Sequence, residues 1–246
     1  MKEQIYTIPV MDGLNSDGEC PFCVMRNKLE DTTVAYVLSP AYMEVDVRGE
    51  TNAQGFCREH IARLYAQGNS LGLGLMLHSQ LKHQHDALKE LLSSQDSSAR
   101  SGRKLFARKE TEPSSPVSQY MKKYNASCYI CGRIDATFER YLEAFFMLYK
   151  KDPEVRKKTE SGKGFCFNHF LQLYESAEKY LKGDELAAFR QIITASMDQN
   201  LTRVEDDLEW FTQKFDYRYA NEPWKNSRDA LPRTILKLKG IKPDTK

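Results

Sequence analysis

No apolar run in this chain approaches the roughly 20 residues that a helix needs to cross a bilayer, which leaves no helical membrane span to place. The opening Met-Lys-Glu-Gln-Ile-Tyr lacks the apolar core and small-residue cleavage site of a secretory signal, so a cytoplasmic protein is expected. There is no glycine-rich phosphate loop, no nucleophile set beside a base, and no facing pair of carboxylates. No catalytic residue is therefore assigned, and the balance is against an enzyme. Strand-like alternation is confined to Ile5 to Val10 and Met43 to Val47. Cysteine is scarce too, with six in 246 residues. In an intracellular chain such cysteines are ligands or redox groups more often than structural disulfides.

What the chain does have is an internal repeat. Cys20-Pro-Phe-Cys23 is followed by Gly55-Phe-Cys57-Arg-Glu-His60, and Cys128-Tyr-Ile-Cys131 by Gly164-Phe-Cys166-Phe-Asn-His169. The spacing between copies is 108 residues for the first element and 109 for the second. The likeness continues from His60-Ile-Ala-Arg-Leu-Tyr65 to His169-Phe-Leu-Gln-Leu-Tyr174, and all six cysteines fall inside the pattern. Such agreement marks a duplication.

Elsewhere the periodicity is helical, and the expected fold is all-α: two duplicated helical halves, each with a Cys3His zinc knuckle and a long helix. Ile134, Phe138, Tyr141, Leu142, Phe145 and Leu148 recur at three- and four-residue steps until Asp152-Pro153 interrupts them. A second helix opens near Cys166. A third runs from about 184 to 216 with Ile193, Met197, Leu201, Val204, Leu208, Phe211 and Phe215 along one seam; Leu73, Leu77, Leu81, Leu88 and Leu91 form its counterpart. The expected division is residues 1–92 as a first zinc-binding repeat, 93–127 as a flexible Ser/Pro/Gly-rich linker, and 128–246 as a second repeat with a docked C-terminal tail. Charge follows this division. The net +2 splits into +4 over 93–127, +5 over 218–246 and −7 over the rest. A basic arm for an anionic partner fits these numbers, but Tyr217, Tyr219, Trp224, Leu231, Ile235 and Leu238 favour a tail packed on the body, with only weak nucleic-acid binding.

Three thiolates and an imidazole make a common tetrahedral zinc set. Two zinc ions per chain are expected, one on Cys20, Cys23, Cys57 and His60 and the other on Cys128, Cys131, Cys166 and His169. The Cys-x-x-His pairs would sit on one face of a helix's first turn, where the positive end of the helix favours thiolate. Pro21 stiffens the first Cys-x-x-Cys turn, and Gly132 is the candidate left-handed residue of the second. With four protein ligands no position stays open for substrate, so the role is structural. His78, His83 and His85 could form a further site but read better as solvated residues. Glu205, Asp206, Asp207 and Glu209 read as an exposed helix face. The function expected is an interaction module without a catalytic role, binding a protein partner or, weakly, nucleic acid, and no membrane. A zinc-thiolate redox switch is the alternative, and an enzyme using the Asp216–Arg218 segment comes third.

These residues resemble a bacterial domain family of unknown function whose members carry two Cys-x-x-Cys elements, each followed by Gly-Phe-Cys-x-x-His. The likeness takes in Lys214-Phe-Asp-Tyr-Arg218, Trp224, Ser227, Asp229-Ala230, Arg233 and Leu238-Lys-Gly240, and so spans nearly the whole chain. Cys128-Tyr-Ile-Cys131 departs from the family's usual proline after the first cysteine. The resemblance brings no activity with it.

Overall fold

The computed structural model describes residues 2–99, 115–241 and 243, which hold eleven α-helices, two short 3-10 helices and no strand. The all-α expectation holds. No described helix is long and apolar enough to cross a membrane.

The chain forms two compact units, Met1–Lys28 with Thr137–Lys246, and Leu29–Ala136. Both boundaries fall inside helices, in α2 (Pro21–Val37) and α7 (Tyr129–Lys151). The first unit also holds α1 (Lys2–Asn15), α8 (Pro153–Ser161), α9 (Phe167–Tyr180), α10 (Gly183–Gln213) and α11 (Ala230–Lys239). Its core is aromatic: Phe22 lies edge-on to Phe145 at 5.2 Å and to Phe138 at 6.1 Å, while Phe189 meets Phe146 at 5.3 Å and Tyr149 at 4.9 Å. The second unit adds α3 (Val45–Gln54), α4 (Arg58–Ala66), α5 (Ser70–Ala99) and α6 (Pro116–Asn125). Its core is largely aliphatic, built on Val34, Val37, Leu64, Leu73, Met76, Ile130 and Ile134, with Tyr129.

Local sequence explains several helix ends. Asp152 caps α8, its carboxylate accepting from the Glu154 amide, and Pro153 takes the first helical position, where its missing N–H loses nothing. Ser115 and Pro116 open α6 in the same way. Gly240 closes α11 in the left-handed region at φ 71°.

Several expectations change. Ile5 to Val10 lies in α1, and Met43 to Val47 joins the 3-10 helix Pro40–Met43 to α3, so neither is a strand. Short apolar runs cannot be assigned by period alone. In α1 the inward positions are Val10 and Gly13, with Tyr6 packed on Tyr141 at 6.2 Å, a helical step rather than an alternating one. Of the stretch 93–127, residues through Ala99 continue α5 and Pro116–Asn125 form α6, whose Tyr120 and Tyr124 hydroxyls bond Gln84 and Gln80 of α5. Residues 100–114 lie outside the described residues. The seam of α5 rotates, with Leu73, Met76 and Gln80 buried and Leu81 exposed. On α10, Ile193, Met197 and Val204 are buried as expected, with Phe189 and Asn200 beside them; the helix stops at Gln213, and Phe215 beyond it is exposed. The helix begins at Gly183 after the Lys182 N-cap, with Asp184 in its first turn.

Candidate metal centres

All six cysteines are free thiols, and with His60 and His169 they gather into two groups that could hold metal ions. The first group is Cys20, Cys23, Cys166 and His169; the second is Cys57, His60, Cys128 and Cys131. Within each, the four ligand atoms all lie within 4.8 Å of one another. The two Cys3His sets are there, but the expected membership is not. Each group joins the Cys-x-x-Cys of one repeat to the Cys-x-x-His of the other.

The chain path explains the exchange. Helix α2 begins in the first unit and ends in the second, and α7 does the reverse. Cys57 and His60 therefore lie in the same unit as Cys128 and Cys131, and Cys166 and His169 in the same unit as Cys20 and Cys23.

Every ligand pair sits at a helix N-terminus. Cys20 and Cys23 flank the start of α2, Cys57 and His60 that of α4, Cys128 and Cys131 that of α7, and Cys166 and His169 that of α9. Cys166 is itself the N-cap of α9, its sulfur accepting from the His169 amide at 3.5 Å. Each group thus faces two helix N-termini, whose partial positive charge stabilises thiolates.

In the first group Nδ1 of His169 lies 3.5, 3.3 and 3.2 Å from the sulfurs of Cys20, Cys23 and Cys166. In the second, Nδ1 of His60 lies 3.2, 3.4 and 3.3 Å from those of Cys57, Cys128 and Cys131. Ligands at zinc-like bond lengths in a tetrahedron would be roughly 3.5–3.8 Å apart. The sulfurs of Cys23 and Cys166 are 3.5 Å apart and those of Cys57 and Cys131 3.9 Å, far beyond disulfide length. Protons are shared unevenly within each group. Burial opposes charge on His60, but Cys128 and Glu30 outweigh it and hold the imidazolium up to about 10; burial likewise opposes the Cys128 thiolate, but His60 and neighbouring amides pull it down to about 6. His169 is raised to about 9 against its burial by Cys166 and Cys20, while hydrogen bonds from Cys20 and Cys23 pull Cys166 down. An imidazolium among thiolates is the charge pattern a thiophilic cation would replace.

The glycine of each Gly-Phe-Cys element has a positive φ, 64° at Gly55 and 73° at Gly164. A Cβ at Gly55 would come within 2.7 Å of Gln80 Nε2 and 2.9 Å of the Tyr124 hydroxyl; at Gly164 it would crowd Asn200 and the Ser196 carbonyl at 3.3 Å. Gly132, the expected left-handed residue, is ordinary α-helix in the first turns of α7. The special backbone lies before the third cysteine, where the chain turns into the site.

The two groups are clamped differently at equivalent positions. In the second, the Ser127 hydroxyl donates to the Gln54 carbonyl at 2.7 Å and the Tyr129 amide to the Gly55 carbonyl at 3.0 Å. In the first, the corresponding loops are bridged by the buried ammonium of Lys237 on α11, which donates to the Glu19 carbonyl at 2.7 Å and to the Lys163 carbonyl. Burial lowers the Lys237 pKa, opposed by the Glu19 carboxylate 3.4 Å away, which Arg203 also holds at 2.6 Å. Around the second group, His60 Nε2 meets Glu30 at 3.0 Å, and Arg63 meets the same carboxylate at 2.6 Å.

The other singled-out residues fall outside both groups. His78, His83 and His85 are exposed on α5 and belong to no metal-capable group among the described residues. Asp207 departs from its exposed neighbours by pairing with Arg233 at 2.8 Å, which docks α11 on α10. Trp224 packs against Phe211 at 6.0 Å. Asp216 and Arg218 form a surface pair at 2.7 Å. Of the tail residues expected to pack down, Tyr217, Leu231 and Leu238 are exposed; Ser227, Ala230 and Lys237 carry the burial instead. Sequence reasoning missed Glu30, Glu19, Arg203 and Lys237, whose roles depend on contacts 30 to 218 residues apart.

Fold and site together define a helical protein with two Cys3His clusters able to hold metal ions. The match to a family model over residues 1–245 places the chain in the family of unknown function DUF6062. No curated protein and no solved structure matches it.

Proposed function

We propose that this is a two-zinc helical protein in which the ions act structurally and the helices present an interaction surface, with no catalytic role. The observation that carries the reading is the pair of closed Cys3His sets, each imidazole Nδ1 within 3.5 Å of three sulfurs. Three thiolates make a soft donor set suited to zinc, and four protein ligands leave no position for a substrate. Structural zinc sites contribute on the order of 10–16 kcal/mol of apparent binding energy, comparable to the whole stability of a domain. Metal analysis of the purified protein with thiol titration tests this: two zinc ions per chain and six thiols released on denaturation are expected. Fewer than about one ion per chain, from cells supplied with zinc, would defeat it.

A redox-responsive second group is the alternative, favoured by one observation: Cys57 and Cys131 are partly exposed, whereas every ligand of the first group is buried. Accessible zinc thiolates are the ones oxidants reach. Release of a single ion by mild peroxide, restored by reductant and zinc, would bring this reading forward. Retention of both ions up to the unfolding transition would remove it.

A further inference from the structure

The first unit carries a groove of about 820 Å³, within the size range of small-molecule sites and unconnected with any metal ligand. Its floor is the outer stripe of α7: Arg140, Glu143, Ala144, Met147 and then Lys150 and Lys151, at helical steps of three and four. The twelve residues from Arg140 to Lys151 make a trough roughly 16 Å long. Ile5 and Tyr6 of α1 and Tyr180 of α9 supply apolar walls, and Tyr180 lies flat on the buried Phe146 ring, with centroids 4.8 Å apart and planes 16° apart.

Charge along the trough is lopsided. Arg140 is paired with Glu143 at 3.1 Å, which neutralises that end. At the other end Lys150 and Lys151 are exposed, and neither ammonium makes a hydrogen bond or ion pair among the described residues. Nor do they turn back to cap α7. Arg156 already takes the Tyr149 and Lys150 carbonyls at 2.7 and 2.8 Å. The apolar floor of Ala144 and Met147 therefore runs toward two unengaged cations.

We infer that this groove binds a small amphiphilic carboxylate, with its apolar body along Ala144, Met147 and Tyr180 and its head at Lys150 and Lys151. A neutral chain would leave the cations unused, and a cationic amphiphile would meet them head-on. The anion is the complementary ligand.

Calorimetric titration of the full-length, metal-loaded protein with decanoate, decyltrimethylammonium and acetate separates body from head. Decanoate should bind one per chain and at least about tenfold more tightly than decyltrimethylammonium, with acetate showing no binding. Lys150→Gln with Lys151→Gln, both exposed, should weaken decanoate by about tenfold or more while leaving metal content unchanged. Met147→Glu should weaken it independently by filling the trough with charge. Equal binding of the two decyl compounds, decanoate affinity untouched by the double lysine change, or no decanoate binding at millimolar concentration would each overturn the inference.

Discussion

The two Cys3His groups come from the same duplicated motif, yet their surroundings differ in kind. His169 is ringed by Phe22 at 6.0 Å and Phe138 at 5.4 Å, its three cysteines are buried, and its loops are held by a lysine from α11. His60 instead meets Glu30 and, through it, Arg63, with two of its three cysteines partly exposed. Both groups have near-identical distances between imidazole and sulfurs, so the local geometry goes with the shared motif. Stability and access are set by what surrounds it. The first group is embedded in its unit's core, and the second sits near the surface with a carboxylate orienting its imidazole, an arrangement known to tune metal affinity.

The largest effect should separate them directly. Cys166→Ser removes a ligand in a dry aromatic shell, where the remaining thiolates would be left as unpaired buried charge; a loss above about 4 kcal/mol is expected. Cys57→Ser leaves groups that water can reach, and the loss should be clearly smaller. Denaturant unfolding of both variants, read with metal content, would break the comparison if the losses are equal or reversed.

The second largest concerns the clamp. Lys237→Met keeps the apolar stem but strips the ammonium from the Glu19 and Lys163 carbonyls and leaves the buried Glu19 carboxylate with Arg203 alone. About 3 kcal/mol should be lost. Ser127→Ala, its counterpart in the second unit, removes one neutral hydrogen bond while the Tyr129-to-Gly55 backbone bond persists, for about 1 kcal/mol. Matching melting shifts for the two variants would mean that α11 does not hold the first site.

How much of this was legible beforehand follows from the range of the interactions involved. The eight cysteines and histidines of the two groups and the helices that begin after Cys57 and Cys166 follow from patterns within a few residues. The partition of the ligands does not. It depends on α2 and α7 each beginning in one unit and ending in the other, which no local pattern encodes. Gly55 and Gly164 stand out as a repeated Gly-Phe-Cys element, yet Gly132, beside the second knuckle, is where local pattern suggests a left-handed residue, and a helix absorbs it. Lys237 was invisible for a different reason: a lysine in a basic tail looks solvated, and only packing shows it buried.

Glu30 permits a narrower cut. Glu30→Ala removes the acceptor of His60 Nε2 and should lower metal affinity at the second site by about 10–100-fold, because an oriented imidazole ligates better than a freely rotating one. The first site is the internal control. Competition with a chromophoric chelator should show one ion leaving early and the other unmoved. Two ions weakened together would mean the sites are not independent.

The smallest effect tests whether α11 closes over the first site by shape alone. Gly240 is the left-handed C-terminal cap of α11, with its amide donating to the Leu236 carbonyl at 2.7 Å. A Cβ there would meet Cys166 and Cys23 sulfurs at 3.5 and 3.6 Å, ordinary contact distances. Gly240→Ala therefore pays only the left-handed backbone penalty, about 1 kcal/mol. Gly164→Ala carries the same penalty and in addition crowds the Ser196 carbonyl at 3.3 Å, so it should lose more. If Gly240→Ala instead costs as much as losing Lys237 and labilises the first ion, the cap must be pressed on the thiolates more tightly than these distances allow, and the aromatic shell alone would not account for that site's seclusion.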